Sequence, residues 1–283
     1  MNTFIKIEKP LVSVSWLFQN IDASNLIVLN GTIPKVSLKK YESKLEEYQI
    51  PNTLFFDIKK EFSKQEAPFP NTVLEPEDFQ QRVREMGINN DSCIVVYDEH
   101  GIYSSARVWW LFKTMGFDNI AVLDGGFPEW KTYNFPVQKK QNISLKKGDF
   151  SVNHRVNLLV NSEVVLNNLN NTSIEIIDAR SLARYNSTVA EPRSEVRSGH
   201  IPSSLSLPYA SLILNGKLNE NTMLKKVFEA VNPQKKEMIF SCGSGITACV
   251  LALVATILNY DKMAVYDGSW TEWGSLMHLP IEK

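Results

Sequence analysis

The stretch "FSCGSGITACV", residues 240–250, joins an apolar run to a helix-forming run through a cysteine and two glycines. A cysteine packed in a core needs no glycines beside it. A thiol that must meet a ligand among exposed backbone N–H groups does, because glycine opens turns closed to other residues and lets the chain approach a guest closely. Successive N–H groups in such a turn form an anion-binding concavity, and the following helix adds the positive end of its dipole. Both effects favour the thiolate of Cys242 and would hold a persulfide after sulfur transfer. Ser244 and Thr247 add hydroxyls that donate to sulfur or substrate, or cap the helix. Gly243, Gly245, Ile246 and Thr247 are expected to line the bound substrate, with Ser244 joining Cys242 in the chemistry.

A second constellation, "DARSLARYNSTVAEPRSEVRSGHIP" (178–202), follows the strand-like "IEII" and carries Arg180, Arg184, Arg193 and Arg197. In a parallel sheet this loop shares the carboxyl-end rim with Cys242. Four arginines with few compensating acids read as a carboxylate or oxyanion site. Arg180, directly after the strand, is expected to brace the loop.

Rival cysteine chemistries can be tested on residue types. A cysteine-dependent phosphatase needs an arginine six positions after its nucleophile to clamp phosphate. Position 248 is alanine. A Cys–His hydrolase needs a base paired with the thiol, and none of His100, His154, His200 and His278 shows such pairing; His200, in "GHIPSS", reads as a turn residue. The three cysteines (Cys93, Cys242, Cys249) form neither a disulfide framework nor a zinc spacing. Cys249, on an apolar helix, is expected to be core. Reduced thiols and a start without signal-peptide character point to a cytoplasmic protein.

The elements that must position these residues come in two sets. "IAVLDGGFPEW" (120–130) and "MAVYDGSWTEW" (263–273) are identical at Ala121/Ala264, Val122/Val265, Asp124/Asp267, Gly125/Gly268, Glu129/Glu272 and Trp130/Trp273. Upstream blocks pair in the same order, which marks an internal duplication. Each half alternates short apolar strands with helices, so the fold class is α/β: two tandem domains, each a mostly parallel sheet flanked by helices. Domains are expected at 1–137 and 151–283, joined by a polar linker over 138–150. Asp98 stands near the point that matches Cys242, so the first half reads as non-catalytic. The 283 residues, 43% hydrophobic with six tryptophans, can bury two cores, and a net charge of −1 gives no general attraction to nucleic acid or membrane. No apolar run approaches the roughly 20 residues of a membrane span.

The duplicated halves, the "GHIP" turn, the two "DG…EW" motifs and a nucleophile loop before a helix resemble the two-domain rhodanese superfamily. The loop "CGSGITA" resembles that of its 3-mercaptopyruvate sulfurtransferases. Thiosulfate-using members carry Arg-Lys after the cysteine, suited to a dianion, whereas Gly243-Ser244 add no charge, which fits a monoanionic keto acid. The resemblance implies tandem rhodanese-like domains and sulfur transfer from 3-mercaptopyruvate through a persulfide on Cys242. Thioredoxin, a small thiol or cyanide would be the acceptor, with no metal or organic cofactor. It also implies that Arg184 and Arg193 hold the pyruvyl group and that Asp57, in "FFDI", lies near the site and counts with Cys242 and Ser244 among its catalytic residues. The following segment departs from the family pattern: Asn71 stands about where a histidine falls. An Asp–His–Ser relay is therefore not expected; either Asn71 positions a group or the loop's electrostatics act alone. Open alternatives are a thiosulfate-preferring enzyme and a non-catalytic sulfur carrier or regulatory module.

Overall fold

The computed structural model describes residues 3–35, 46–141 and 146–283. Its contacts divide the chain into two compact units: Met1–Ser63 with Val73–Arg155 and Asn215–Leu218, and Lys64–Thr72 with Val156–Leu214 and Asn219–Lys283. Each unit thus holds one short segment from the other half of the sequence.

In the first unit, β1 (Leu11–Val12), β2 (Leu26–Asn30), β4 (Thr53–Phe55), β5 (Cys93–Tyr97) and β6 (Ile120–Leu123) form a parallel sheet in the order β1-β6-β5-β2-β4. A short β3 (Tyr48–Gln49) pairs antiparallel with β7 (Gln138–Lys139). Among the described residues its helices are α1 (Val14–Gln19), α2 (Pro76–Glu85), α3 (Ser105–Thr114) and α4 (Gly126–Thr132). The stretch read as a linker runs along this unit: the Gly148 N–H donates to Arg84 and that of Phe150 to Ile88. Residues 142–145 of it lie outside the described residues.

The second unit repeats the plan. Its strands β8 (Leu159–Val160), β9 (Ile174–Asp178), β10 (Leu205–Ser206), β13 (Glu237–Ser241) and β14 (Met263–Tyr266) run parallel in the order β10-β9-β13-β14-β8. Read from the opposite end, this is the order of the first sheet. Between β10 and β13 in sequence lie β11 (Ile213–Leu214), in this unit, and β12 (Lys217–Leu218), in the segment that belongs to the first unit. The helices are α5 (Ser162–Asn167), α6 (Leu182–Tyr185), α7 (Asn221–Val231), α8 (Ala248–Ile257) and α9 (Ser269–Ser275).

Parallel sheets covered on both faces have apolar central strands, and β5 and β13 are buried over nearly their whole length. Helix α8 packs on β13 and β14 and is buried from Ala248 to Ala255, which accounts for its unbroken apolar sequence. The duplicated tryptophans fill matching core sites. Trp130 donates its indole N–H to the Pro136 carbonyl at 2.8 Å, and Trp273 to that of Pro280 at 2.7 Å. Buried indoles keep a polar partner in this way. Cys93 and Cys249 are buried, and burial pushes the Cys93 thiol up to about 12.

Candidate active site

Register fixes the equivalence of the two rims. Ile94 of β5 pairs with Ile120 and Met238 of β13 with Met263, so Asp98 and Cys242 occupy the same step, one residue past each central strand. The Asp98 carboxylate accepts the N–H groups of His100, Tyr103 and Ser105 and the Ser105 hydroxyl at 2.7–2.9 Å. In the first half, the protein's own carboxylate therefore takes up three of the loop's N–H donors.

In the second half the loop carries Cys242 and leaves its donors open. The N–H groups of Gly243, Ser244, Ile246 and Thr247 have no acceptor among the described residues. Gly245 adopts φ of 73°, the left-handed conformation that glycine tolerates. At Gly243 an added Cβ would sit 3.3 Å from the end of the flexible Arg184 side chain, a tight contact that a shift of a few tenths of an ångström relieves. Thr247 holds the N-cap position of α8 without a side-chain capping bond, so capping is not its use here. The Cys249 thiol donates to the Gly245 carbonyl at 3.2 Å and braces the loop from below.

Helix α9 holds the loop from the side. The Trp270 and Thr271 N–H groups donate to the Cys242 and Gly243 carbonyls, both at 2.9 Å. Ser269 accepts from the Cys242 N–H at 3.1 Å and the Gly245 N–H at 3.2 Å. It gives its own proton to the Tyr266 carbonyl at 2.8 Å, with Cys242 Sγ 3.9 Å away. Two lone pairs and one proton are thereby all used. Ser269 has φ of 50°, strained by about 1–2 kcal/mol for a residue with a Cβ, and its first-half counterpart is Gly126 at 55°. Two hydrogen bonds from the Cys242 loop and one to the Tyr266 carbonyl offset that strain.

Arg184 and Arg193, expected from the sequence to hold the substrate, both approach Gly243, Arg193 through Thr271. Arg184, on α6, lies against Gly243. Arg193 donates to the Thr271 hydroxyl at 3.2 Å, and that hydroxyl donates to the Gly243 carbonyl at 2.5 Å. Arg180 braces the loop as its position suggested: it is buried, bonded to Asp178, Glu191 and the Gly199 carbonyl, and stacked 4.4 Å from the Trp270 ring. Arg197 binds the carbonyls of Trp273, Gly274, Leu276 and Leu279 and is structural. His200 stacks on Tyr185 and its Nδ1 meets the Tyr185 carbonyl, a turn role.

The segment Lys64–Thr72, a member of the second unit, brings in Asn71. Its amide nitrogen donates to the Ser244 carbonyl at 3.2 Å and to Ser244 Oγ at 3.0 Å. A carbonyl only accepts, which fixes the amide's orientation. Ser244 Oγ is then an acceptor toward Asn71, and its proton is available in another direction. Asp57 lies in the first unit, where its Oδ1 accepts the N–H groups of Lys59 and Lys60 at 3.1 and 2.9 Å.

Sequence reasoning missed three residues. Ser269 and Thr271 were visible as departures from the repeat, since the first half has Gly126 and Pro128 at those places. Glu191 was overlooked in a loop read as nearly free of acids. No group of three or more His, Cys, Asp or Glu that could hold a metal occurs among the described residues. No helix among them is long and apolar enough to cross a membrane.

Comparison with known proteins adds independent findings. The rhodanese-like domain model matches twice, over residues 37–133 and 161–276. The 3-mercaptopyruvate sulfurtransferase of Escherichia coli (strain K12) is 33% identical over 276 residues, covering 96% of this chain and 97% of that protein. Thiosulfate sulfurtransferase of Bos taurus is 31% identical over 274 residues, covering 94% and 92%. The crystal structure of SseA from Escherichia coli, which has the rhodanese fold, superposes with a TM-score of 0.82 at 30% identity. It covers 93% of this chain and 99% of its own.

Proposed function

This chain belongs to the rhodanese family, with two copies of the domain, and we propose that its second domain passes sulfur from 3-mercaptopyruvate through Cys242 to a thiol. It is a sulfurtransferase. The observation that carries the site assignment is the convergence at Gly243 of a cysteine, open backbone donors and two arginines.

In the first half-reaction the Cys242 thiolate attacks the sulfur of 3-mercaptopyruvate. The S–S bond forms, the C–S bond breaks, and the electron pair leaves as the enolate of pyruvate. Arg184 and Arg193 hold the keto acid and stabilise the charge that develops on its oxygen. The proton carried in on the donor thiol suffices to convert enolate to pyruvate. The persulfide left on Cys242 rests among the N–H groups of Gly243, Ser244, Ile246 and Thr247, with the Ser244 hydroxyl as a further donor. In the second half-reaction an acceptor thiolate, from thioredoxin or a small thiol, attacks the outer sulfur and returns Cys242 as thiolate. This is covalent catalysis in two steps.

Within this reading, Asn71 positions Ser244 rather than relaying a proton, because an amide does not titrate. Asp57 holds the turn that leads toward the Asn71 segment. The sequence halves 1–137 and 151–283 act as a non-catalytic and a catalytic domain. The free thiols of Cys93, Cys242 and Cys249 suit a reducing compartment such as the cytoplasm.

Identity alone does not separate the donors, since a thiosulfate sulfurtransferase is nearly as similar. The uncharged Gly243-Ser244 pair favours the monoanion. Steady-state kinetics with both donors should give the higher kcat/KM for 3-mercaptopyruvate, and a preference for thiosulfate would reverse the assignment.

A further inference from the structure

The first turn of α9 fixes two consecutive peptide planes of the nucleophile loop. The Trp270 N–H donates to the Cys242 carbonyl and the Thr271 N–H to the Gly243 carbonyl, both at 2.9 Å. Both peptides are trans. In a trans peptide the carbonyl and the next N–H point in opposite directions, so the N–H groups of Gly243 and Ser244 are aimed away from α9. The Thr271 hydroxyl is a second donor to the Gly243 carbonyl at 2.5 Å, and both lone pairs of that oxygen are then used.

The same hydroxyl has an acceptor side, and Arg193 occupies it. Arg193 Nη1 donates to Thr271 Oγ1 at 3.2 Å, and no other side-chain bond ties the guanidinium among the described residues. Arg184, by contrast, is held by Glu191 through two of its nitrogens. Thr271 is buried and its proton is committed to the carbonyl, so the hydroxyl cannot turn away from Arg193 without giving up that bond. The arginine keeps four of its five N–H donors for a guest. In the first half, Phe127 donates to the Asp98 carbonyl as Trp270 does to that of Cys242. The counterpart of Thr271 there is Pro128, which has neither an N–H nor a hydroxyl. Both Thr271 bonds to the loop therefore belong to the half that carries the thiol and have no equivalent in the other.

We infer that Thr271 is a positioning residue: its hydroxyl, locked onto the Gly243 carbonyl, seats the Arg193 guanidinium at the nucleophile loop so that the remaining donors of the arginine meet the keto acid. The backbone N–H of Thr271 holds the loop whatever side chain stands there, and the hydroxyl acts through Arg193. A long, flexible arginine with one neutral partner depends on that partner for its place, since its rotors must be ordered before its donors can be aimed. The inference rests on the sulfurtransferase reading above and adds the residue that places one of its two arginines.

The test is a double-mutant cycle on kcat/KM for 3-mercaptopyruvate. Thr271→Val keeps the backbone bond and removes the hydroxyl. It should lower kcat/KM by about tenfold or more, as for losing a hydrogen bond to a charged group. Thr271→Ser restores the hydroxyl and should bring kcat/KM back to within about threefold of the unaltered protein. In an Arg193→Ala background, Thr271→Val should cost less than about threefold, because the arginine that the hydroxyl positions is gone. An equal cost in both backgrounds would mean that the hydroxyl serves the loop alone, and no cost in the unaltered background would mean that it positions nothing; either overturns the inference. Should Thr271→Val fail to fold, Thr271→Ala removes the same hydroxyl and takes its place in the cycle. Absence of turnover by the unaltered protein would instead sink the sulfurtransferase reading, and binding then decides. Pyruvate should raise the Tm of the unaltered and Thr271→Ser proteins more than that of Thr271→Val. Equal shifts overturn the inference.

Discussion

Replacing Cys242 with serine should reduce pyruvate release from 3-mercaptopyruvate to background, a loss of about 10⁴-fold or more, as for other catalytic nucleophiles. A serine hydroxyl fits the same space and can keep the loop bonds made by Ser269, so the folded structure and its Tm should change little. It has neither an accessible anion at neutral pH nor the ability to carry a sulfane sulfur. Loss without unfolding is the signature to look for. A Cys242→Ser protein that still releases pyruvate would place the chemistry elsewhere. Of the other thiols, Cys249 is bonded to the Gly245 carbonyl and burial pushes the Cys93 thiol up to about 12, so neither offers a ready substitute nucleophile.

The second large effect should come from the arginines. Arg184→Ala and Arg193→Ala should each cost about 2–5 kcal/mol in kcat/KM, as for truncating one partner of a desolvated charge pair. That corresponds to about 30-fold to a few thousandfold. The two variants should differ in their side effects. Arg193 has a hydroxyl as its protein partner among the described residues, so its removal leaves no carboxylate short of a cation. Removing Arg184 also strips the Glu191 carboxylate of one of its two cations and should lower the Tm as well. Enolate stabilisation acts in the transition state, so at least one of the two should lower kcat and not only raise KM. Steady-state kinetics together with thermal unfolding separate these effects, and losses of a few tenths of a kcal/mol would make the arginines bystanders.

The features legible in the sequence were those written in contiguous residues. Cys242 with its glycines, and Arg184 and Arg193 in one loop, could be recognised because neighbours in sequence carry the motif. The tandem sheets were legible through the repeat, whose paired "DG…EW" blocks became β6–α4 and β14–α9. The rest depends on contacts that sequence order hides. Ser269 and Thr271 reach the nucleophile from α9, the next helix along the rim. Asn71 reaches Ser244 only because Lys64–Thr72 packs within the second unit. The approach of Arg184 to Gly243 is a contact that no local pattern records. The arginine loop was read as strongly cationic, yet Asp178 and Glu191 pair with Arg180 and Arg184 in its interior. Counting charges along a segment cannot show which of them cancel once buried.

The central claim is that sulfur rests on Cys242 between two half-reactions. Its most direct test is a single turnover: the protein mixed with one equivalent of 3-mercaptopyruvate and no acceptor, followed by mass spectrometry of the intact chain and its peptides. The expected result is one pyruvate released per chain, with a single added sulfur atom on the peptide containing Cys242, lost again when a thiol is supplied. Pyruvate release with no sulfur on that peptide, or sulfur on a different cysteine, would contradict it.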